Sequence, residues 1–254
     1  MSSAQQARHR TTPRPRAARS VAALQGQAGE RPDRRQAILL TAEKMFSERG
    51  YHGVSIRQIA EQAGVPLALV GYYFGTKPAL FRAIFEHWSF TIEERLARLR
   101  ESERAPWDAG KLERIIEAFV MPVIAMRASP EGEYYALLMT QGVSPPLEEV
   151  SQVICDFFDP MAQAFIGALH TTLAHEAPQI TRASVAWCYQ FALGALLHHI
   201  ADARVEPLSQ HSTRANDPSA APLLVAFIVH GIRGAVARLH PPSPSSKPRT
   251  RRQA

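Results

Sequence analysis

Cysteine is nearly absent from this chain, and so are the patterns that would mark an enzyme or a membrane protein. The two cysteines, Cys155 and Cys188, both lie inside apolar helical patterns, which excludes a disulfide framework and suits a reducing cytosol. Every stretch of about 18 apolar residues is interrupted by charge, so neither a membrane span nor a membrane partner is expected. The first residues are rich in arginine but lack the apolar core of a secretory signal. No strand-like alternation competes with the helical periodicity, and no repeat of about 20–50 residues is present. His-Glu-x-x-His, zinc-spaced Cys/His clusters, Gly-x-Ser-x-Gly, a phosphate loop and a dinucleotide fingerprint are all missing. Asp156 and Asp159 share a helix face and read as a solvated pair. No catalytic residue, cofactor or metal site is therefore assigned, and the chain is not expected to be an enzyme.

Acidic residues are missing from both ends. Residues 1–29 carry Arg8, Arg10, Arg14, Arg16 and Arg19 with no acid, and residues 241–254 carry Lys247, Arg249, Arg251 and Arg252 with no acid. Those nine positive charges exceed the net +6 of the whole chain, so residues 30–240 are mildly acidic, at −3. The high isoelectric point belongs to the tails. Both are rich in Pro, Ser, Ala or Gln without hydrophobic anchors, the composition of disordered segments. Residues 1–30 thus read as a disordered arginine-rich arm that could add phosphate or minor-groove contacts, and 241–254 as a disordered basic tail.

What is present is most specific between Ser55 and Lys77. Ser55 and Gln58 fit a capping box that starts a helix. Ile56, Ile59, Ala60 and Ala63 then make one apolar stripe, with Arg57, Gln58, Glu61 and Gln62 facing water. Gly64 ends that helix, because a residue without Cβ enters the left-handed region at little cost. Val65 packs into the corner, Pro66 suits a helix start, and Leu67–Phe74 gives about two turns before Gly75. Two short helices joined so tightly cross steeply, which is the geometry that presents the second to a major groove.

The flanks extend this unit. Asp33 and Gln36 repeat the capping pattern ahead of Ile38, Leu39, Ala42, Met45 and Phe46, with Gly50 closing the helix. Downstream, Thr76 is an N-cap for a long helix carrying Leu80, Phe81, Ile84, Phe85, Trp88, Ile92, Leu96 and Leu99 on one face. From Lys77 to about Arg100 it would be roughly 36 Å long, long enough to join a DNA-reading head to a separate body.

Ala42, Phe46, Gly50, Tyr51, Val54, Ser55, Ile59, Ala60, Ala63, Gly64, Val65, Tyr73, Phe74, Lys77, Leu80 and Phe81 together resemble the tetracycline-repressor (TetR) family of bacterial regulators. The specific match covers Asp33 to Phe85. The resemblance implies an all-α protein: a three-helix helix-turn-helix head at 31–77, with the motif at 55–74, and a larger helical effector-binding and dimerisation domain at 78–240. It further implies a homodimer built from the last two helices.

Carried over onto this sequence, the resemblance assigns phosphate contacts to Ser55 and Arg57 at the start of the second helix, and to Tyr73 and Lys77. Leu67, Ala68, Gly71 and Tyr72 form the exposed face of the recognition helix, whereas Ile59, Ala63, Val65, Val70 and Phe74 are packing positions. The segment often written Ser-Lys-Gly-Thr-Leu-Tyr in this family is here Pro66-Leu67-Ala68-Leu69-Val70-Gly71. It offers no Arg, Asn or Gln for bidentate base contacts. Methyl contacts, backbone geometry and DNA shape, aided by Arg57, are the expected means of readout; an alternative role for Leu67 is packing between head and body.

The remaining chain reads as further helices. Lys111–Met126 carries a Pro122 expected to bend it, Glu131–Gln141 is short, and Leu147–Leu173 carries a Pro160 expected to kink it. Thr181–Ala203 and Pro222–Leu239 follow, separated by a polar loop at 204–221. Small residues crowd the last two helices: Ala183, Ala186, Ala192, Gly194 and Ala195 in one, Ala226, Gly231, Gly234 and Ala235 in the other. Such residues permit close helix approach, as in an isologous four-helix interface. Candidate linings of an effector pocket are Trp88, Phe119, Met126, Tyr134, Met139, Cys155, Phe158, Phe165, Trp187 and Tyr189, a set with few charges that suits an apolar or amphipathic molecule. The run LVGYYFGTK is also similar to recognition helices of TetR members associated with fatty-acyl ligands.

The expected function is that of a ligand-responsive repressor in the bacterial cytoplasm, at the nucleoid. It would bind a palindromic operator in double-stranded DNA as a homodimer and be released by a small apolar or amphipathic effector. Two alternatives remain open: an accessory, nucleoid-like DNA binder with no effector, and a metal-responsive regulator using His198, His199 or Cys188.

Overall fold

A computed structural model describes residues 33–140 and 148–239, which fold into eleven α-helices and one short 3-10 turn, with no strand among the described residues. The basic arm and the basic tail lie outside the described residues. The first three helices are α1 (Arg34–Arg49), α2 (Ile56–Gln62) and α3 (Leu67–Phe74). Their ends follow local chemistry. Asp33 accepts from the N–H groups of Arg35 and Gln36 at the start of α1. Ser55 and Gln58 close a reciprocal capping box on α2. Gly64, at φ 66°, makes the turn between α2 and α3 in a conformation that a side chain would disfavour.

The long helix expected after Thr76 is two helices. α4 (Lys77–His87) begins under the Thr76 cap, and α5 (Ser89–Arg104) follows a break at Trp88. Trp88 takes φ −96° and ψ 6°, its carbonyl accepts from both the N–H and the hydroxyl of Thr91, and its ring is buried. The cause is tertiary: the indole stacks on Tyr135 at 5.2 Å and donates to Glu43 on α1. Anchoring that ring inside the protein turns the chain after one short helix instead of letting it run straight.

The body comprises α6 (Lys111–Ala128), α7 (Glu133–Thr140), α8 (Glu148–Leu173), α9 (Arg182–Ala201), α10 (Val205–Leu208) and α11 (Ala221–Leu239). α6 and α8 run uninterrupted through Pro122 and Pro160. The connection at 204–221, expected as a loop, holds α10 and a 3-10 turn at Pro218–Ala220. Asp217 caps that turn by accepting from the Ser219 N–H.

Two hydrophobic cores result. One joins Ile38, Phe46, Ile59, Val70 and Phe74 of the head to Leu80, Phe81, Ile84 and Phe85 of α4, and continues into Tyr135, Leu138 and Val153. Phe46, Tyr51, Phe81 and Phe85 meet in edge-on and tilted pairs with centroids 5.0–5.6 Å apart, an arrangement that adds to simple burial. The other core lies within the body, where α5 and α6 pack together and α11 lies across α6 and α9. The segment Pro218–Leu239 is long and apolar enough to cross a bilayer. Its inner residues Val225, Ile228, Val229, Ile232 and Val236 are nonetheless buried against other helices.

Candidate nucleic-acid interface and effector cavity

On α3, Val70 and Phe74 are buried and hold the helix against the head, while Leu67, Ala68, Gly71, Tyr72 and Tyr73 are exposed. Tyr72 is 81% exposed, and its ring meets Tyr73 edge-on at 5.3 Å. A Cβ built on Gly71 would touch nothing within 4 Å, so this glycine leaves the open face unobstructed. Leu67 stands in solvent and does not pack between head and body. The helix start at Pro66 has no side-chain cap, so its first N–H groups lack the side-chain acceptor that Ser55 gives α2.

The charged candidates differ in how they are held. Arg57 is exposed on α2. The Ser55 hydroxyl is engaged by the capping box, donating to Gln58 Oε1 at 2.9 Å and accepting the Gln58 N–H at 3.3 Å. Lys77 places its ammonium 4.2 Å from the Tyr51 ring centre, and Phe46 lies just beyond at 5.9 Å. A further charge flanks the recognition helix: Arg35, exposed at the start of α1, sits over the Phe74 ring at 5.1 Å. Its distance of some 40 positions from Phe74 left no local pattern by which to find it.

The second feature is a cavity of about 120 Å³ in the body, lined by Arg95 of α5, Val123 of α6, Met139 of α7, Ile154, Phe158 and Met161 of α8, and Tyr189, Leu193, Leu196 and Leu197 of α9. Of the ten residues named from sequence, Met139, Phe158 and Tyr189 line it. Phe119 and Phe165 are core residues lying behind Arg95. Trp88 and Met126 border a separate, open depression with Phe90, Thr91, Met121 and Pro122. Tyr134 lies beneath the Lys44 ammonium, on the α1 side. Cys155 is exposed, and Trp187 is 63% exposed on the outer face of α9. Periodicity identified aromatic residues but not the side on which each helix meets its neighbours.

Arg95 was also missed, although a signal existed: it stands three residues after Ile92 and four before Leu99, on their buried stripe. Only 5% of it is exposed. Burial lowers its pKa to about 10, against a smaller opposing influence of the Tyr189 and Tyr135 hydroxyls. Among the described residues no carboxylate pairs with it, and its Nε has no hydrogen-bond partner. Its guanidinium lies over Phe119 at 4.7 Å and Phe165 at 5.9 Å. Each such contact returns about 0.5–2 kcal/mol, less than the several kcal/mol that burying an ion costs.

Head and body are joined by specific contacts. Glu43 on α1 accepts from the Trp88 indole at 2.8 Å, and burial pushes its pKa up to about 7 against the opposing hydrogen bonds from Trp88 and the Tyr135 backbone. Arg82 on α4 pairs with Asp156 on α8, and that bond, together with one from Gln152, holds the Asp156 carboxyl below its usual range. Asp156 is therefore not a solvated partner of Asp159 but a tie between α4 and α8.

The last two helices present an outer apolar face. Trp187 and Phe191 stack at 5.7 Å on α9, and Leu223 and Phe227 project from α11. A groove between the helices is lined by Phe191, Ala195, Phe227, Gly231 and Ala235. Gly194, Gly231 and Gly234 all face open space. His198, proposed as a metal ligand in one alternative, pairs with Asp202 at 3.3 Å, whereas Cys188 is buried. No group of three or more His, Cys, Asp or Glu residues among the described ones could hold a metal ion.

Comparison with known proteins agrees with this architecture. Residues 38–84 match the family described as "Bacterial regulatory proteins, tetR family", and residues 117–231 match "Tetracyclin repressor-like, C-terminal domain". The chain belongs to the TetR family. Relatives include the HTH-type transcriptional activator FasR of Mycolicibacterium smegmatis, 29% identical over 35% of this chain and 40% of that protein. The repressor AcnR of Corynebacterium glutamicum is 30% identical over 34% and 52%, and the regulator RutR of Escherichia coli is 45% identical over 20% and 24%. This TetR chain thus spans only about a quarter to a half of the length of these curated relatives. Among solved structures, FadR of Bacillus subtilis in complex with stearoyl-CoA aligns over 77% of this chain and 98% of its own, with a TM-score of 0.54 and 17% identity. PfmR of Thermus thermophilus gives 0.51 and 19% over 77% and 95%. At these identities the likeness is one of fold.

Proposed function

We propose that the chain is a homodimeric transcriptional regulator that binds a palindromic operator through α3 and is released when a small apolar or amphipathic effector enters the body cavity. The observation that carries this reading is the exposed face of α3, which Val70 and Phe74 fix from behind. Leu67 and Ala68 suit thymine methyls, Gly71 permits close approach, and Tyr72 offers a ring face or a hydroxyl. Arg57, Tyr73 and Lys77, with Arg35 beside them, are the positioning contacts to phosphate, while Ser55, whose N–H and hydroxyl both serve the capping box, fixes the start of α2 that presents Arg57.

The outer faces of α9 and α11 are the dimer surface, since stacked Trp187 and Phe191 beside open glycines suit close isologous packing. The named functions of relatives span activation and repression; repression is favoured here because effector binding would disturb the junction that sets head spacing. The cavity is smaller than the roughly 300–1,000 Å³ of ordinary ligand sites, so Met139, Phe158 and Met161 must shift as the effector enters. That shift reaches Asp156 through α8 and pulls on Arg82, tilting α4 and the head it carries. The test is binding of the full chain to DNA from beside its own gene, with and without a ligand that stabilises the body. Release by such ligands supports the proposal. Unchanged affinity in the presence of every stabilising ligand contradicts it.

A further inference from the structure

We infer that the effector of this protein is an anion with an apolar tail, a medium-chain monocarboxylate, whose carboxylate pairs with Arg95 while its chain lies against Met139, Phe158, Met161 and Leu193. The inference rests on the effector-cavity reading above and makes it more specific. Among the described residues Arg95 is the only permanently charged one lining the cavity, and it is nineteen-twentieths buried. Among the described residues it has no carboxylate partner, and its Nε–H is unsatisfied. The aromatic faces of Phe119 and Phe165 contact one side of the guanidinium, leaving its in-plane N–H groups, the ones that match a carboxylate, available at the cavity. Tyr189, whose hydroxyl acts electrostatically on Arg95, lines the cavity beside it. The other described lining residues are apolar, so a charged head is neutralised at the Arg95 end and the rest of the ligand is hydrocarbon.

The experiment measures thermal stabilisation and binding of the full chain with hexanoate, octanoate and decanoate, beside the matching primary alcohols and acetate. The carboxylates are expected to bind at least about tenfold more tightly than the alcohols, as befits a charge-assisted contact, and acetate, lacking the tail, not measurably. Arg95→Met, of similar length and apolar, should abolish the preference for carboxylate while accepting alcohols at least as well. Leu193→Trp, which fills the tail space and leaves Arg95 in place, should weaken every long-chain ligand. Because Arg95→Met could perturb folding, its helical circular dichroism and DNA binding are checked, and Leu193→Trp serves as the independent variant. Equal binding of alcohols and carboxylates, a carboxylate preference that survives Arg95→Met, or no binding of any carboxylate overturns the inference. Alcohols that bind and release DNA where carboxylates do not would overturn it while sustaining the effector-cavity reading. That broader reading falls separately, when no body-stabilising ligand of any class alters DNA affinity.

Discussion

Trp88 donates its indole N–H to Glu43 at 2.8 Å across the boundary between the DNA-reading head and the body. The bond links α1 to the residue at which α4 gives way to α5, so any movement of α4 must carry or break it.

Glu43 makes that junction sensitive to pH. Its folded pKa is raised from 4.5 to about 7, so between these values the folded state binds more proton than the unfolded state. Stability therefore declines as pH rises through this window and levels off above it, by an amount on the order of 3 kcal/mol. Glu43→Gln keeps an acceptor for Trp88 without the ionisation. Chemical denaturation should show it matching the parent near pH 5 and exceeding it at pH 8, and a parallel pH dependence in both proteins would contradict this.

The Arg82–Asp156 pair is half exposed, and a pair of that kind contributes about 0–1 kcal/mol to stability. Its expected importance lies in coupling. Asp156→Asn should leave the melting temperature nearly unchanged while reducing the factor by which an effector lowers DNA affinity, measured by fluorescence anisotropy. A full effector response in the variant would remove this contact from the relay.

Phe191→Glu places a carboxylate in the outer face of α9, beside Trp187 and the groove to Phe227. Sedimentation should show a folded monomer, and operator affinity should fall at least about a hundredfold because two half-sites are no longer engaged together. A dimer of undiminished strength would place the interface elsewhere.

On the reading face, Arg57→Ala should lower affinity for all DNA and reduce the salt slope by about one. Tyr72→Ala should instead reduce discrimination between operator and unrelated DNA, with little effect on stability, since the ring is exposed. Titrations at several salt concentrations separate the two outcomes.

The head was legible from sequence because its determinants are local. Asp33, the Ser55–Gln58 box, Gly64 and Thr76 each satisfy or free backbone groups within a few residues. The break at Trp88 was not legible, because Ile84, Trp88 and Ile92 keep helical phase across it and the cause lies on α1 and α7. The pocket was legible only at Met139, Phe158 and Tyr189, for a similar reason. Tyr134 and Tyr135 are adjacent, and only packing decides that Tyr135 is buried against Trp88 while Tyr134 turns to Lys44. Arg95 was passed over because an arginine on a charged helix reads as solvated, although its position on the Ile92–Leu99 stripe marked it.

The proposed two-fold dimer, reading DNA through α3, requires an operator of the same symmetry. Selection of binding sequences from a random duplex pool by the full chain, at about physiological ionic strength, tests it most directly. The expected result is enrichment of an inverted repeat whose half-sites lie one helical turn, about 34–36 Å, or a multiple of it apart, and loss of that enrichment in Tyr72→Ala. A pool that remains unselected, or that yields a motif without two-fold symmetry, would contradict it.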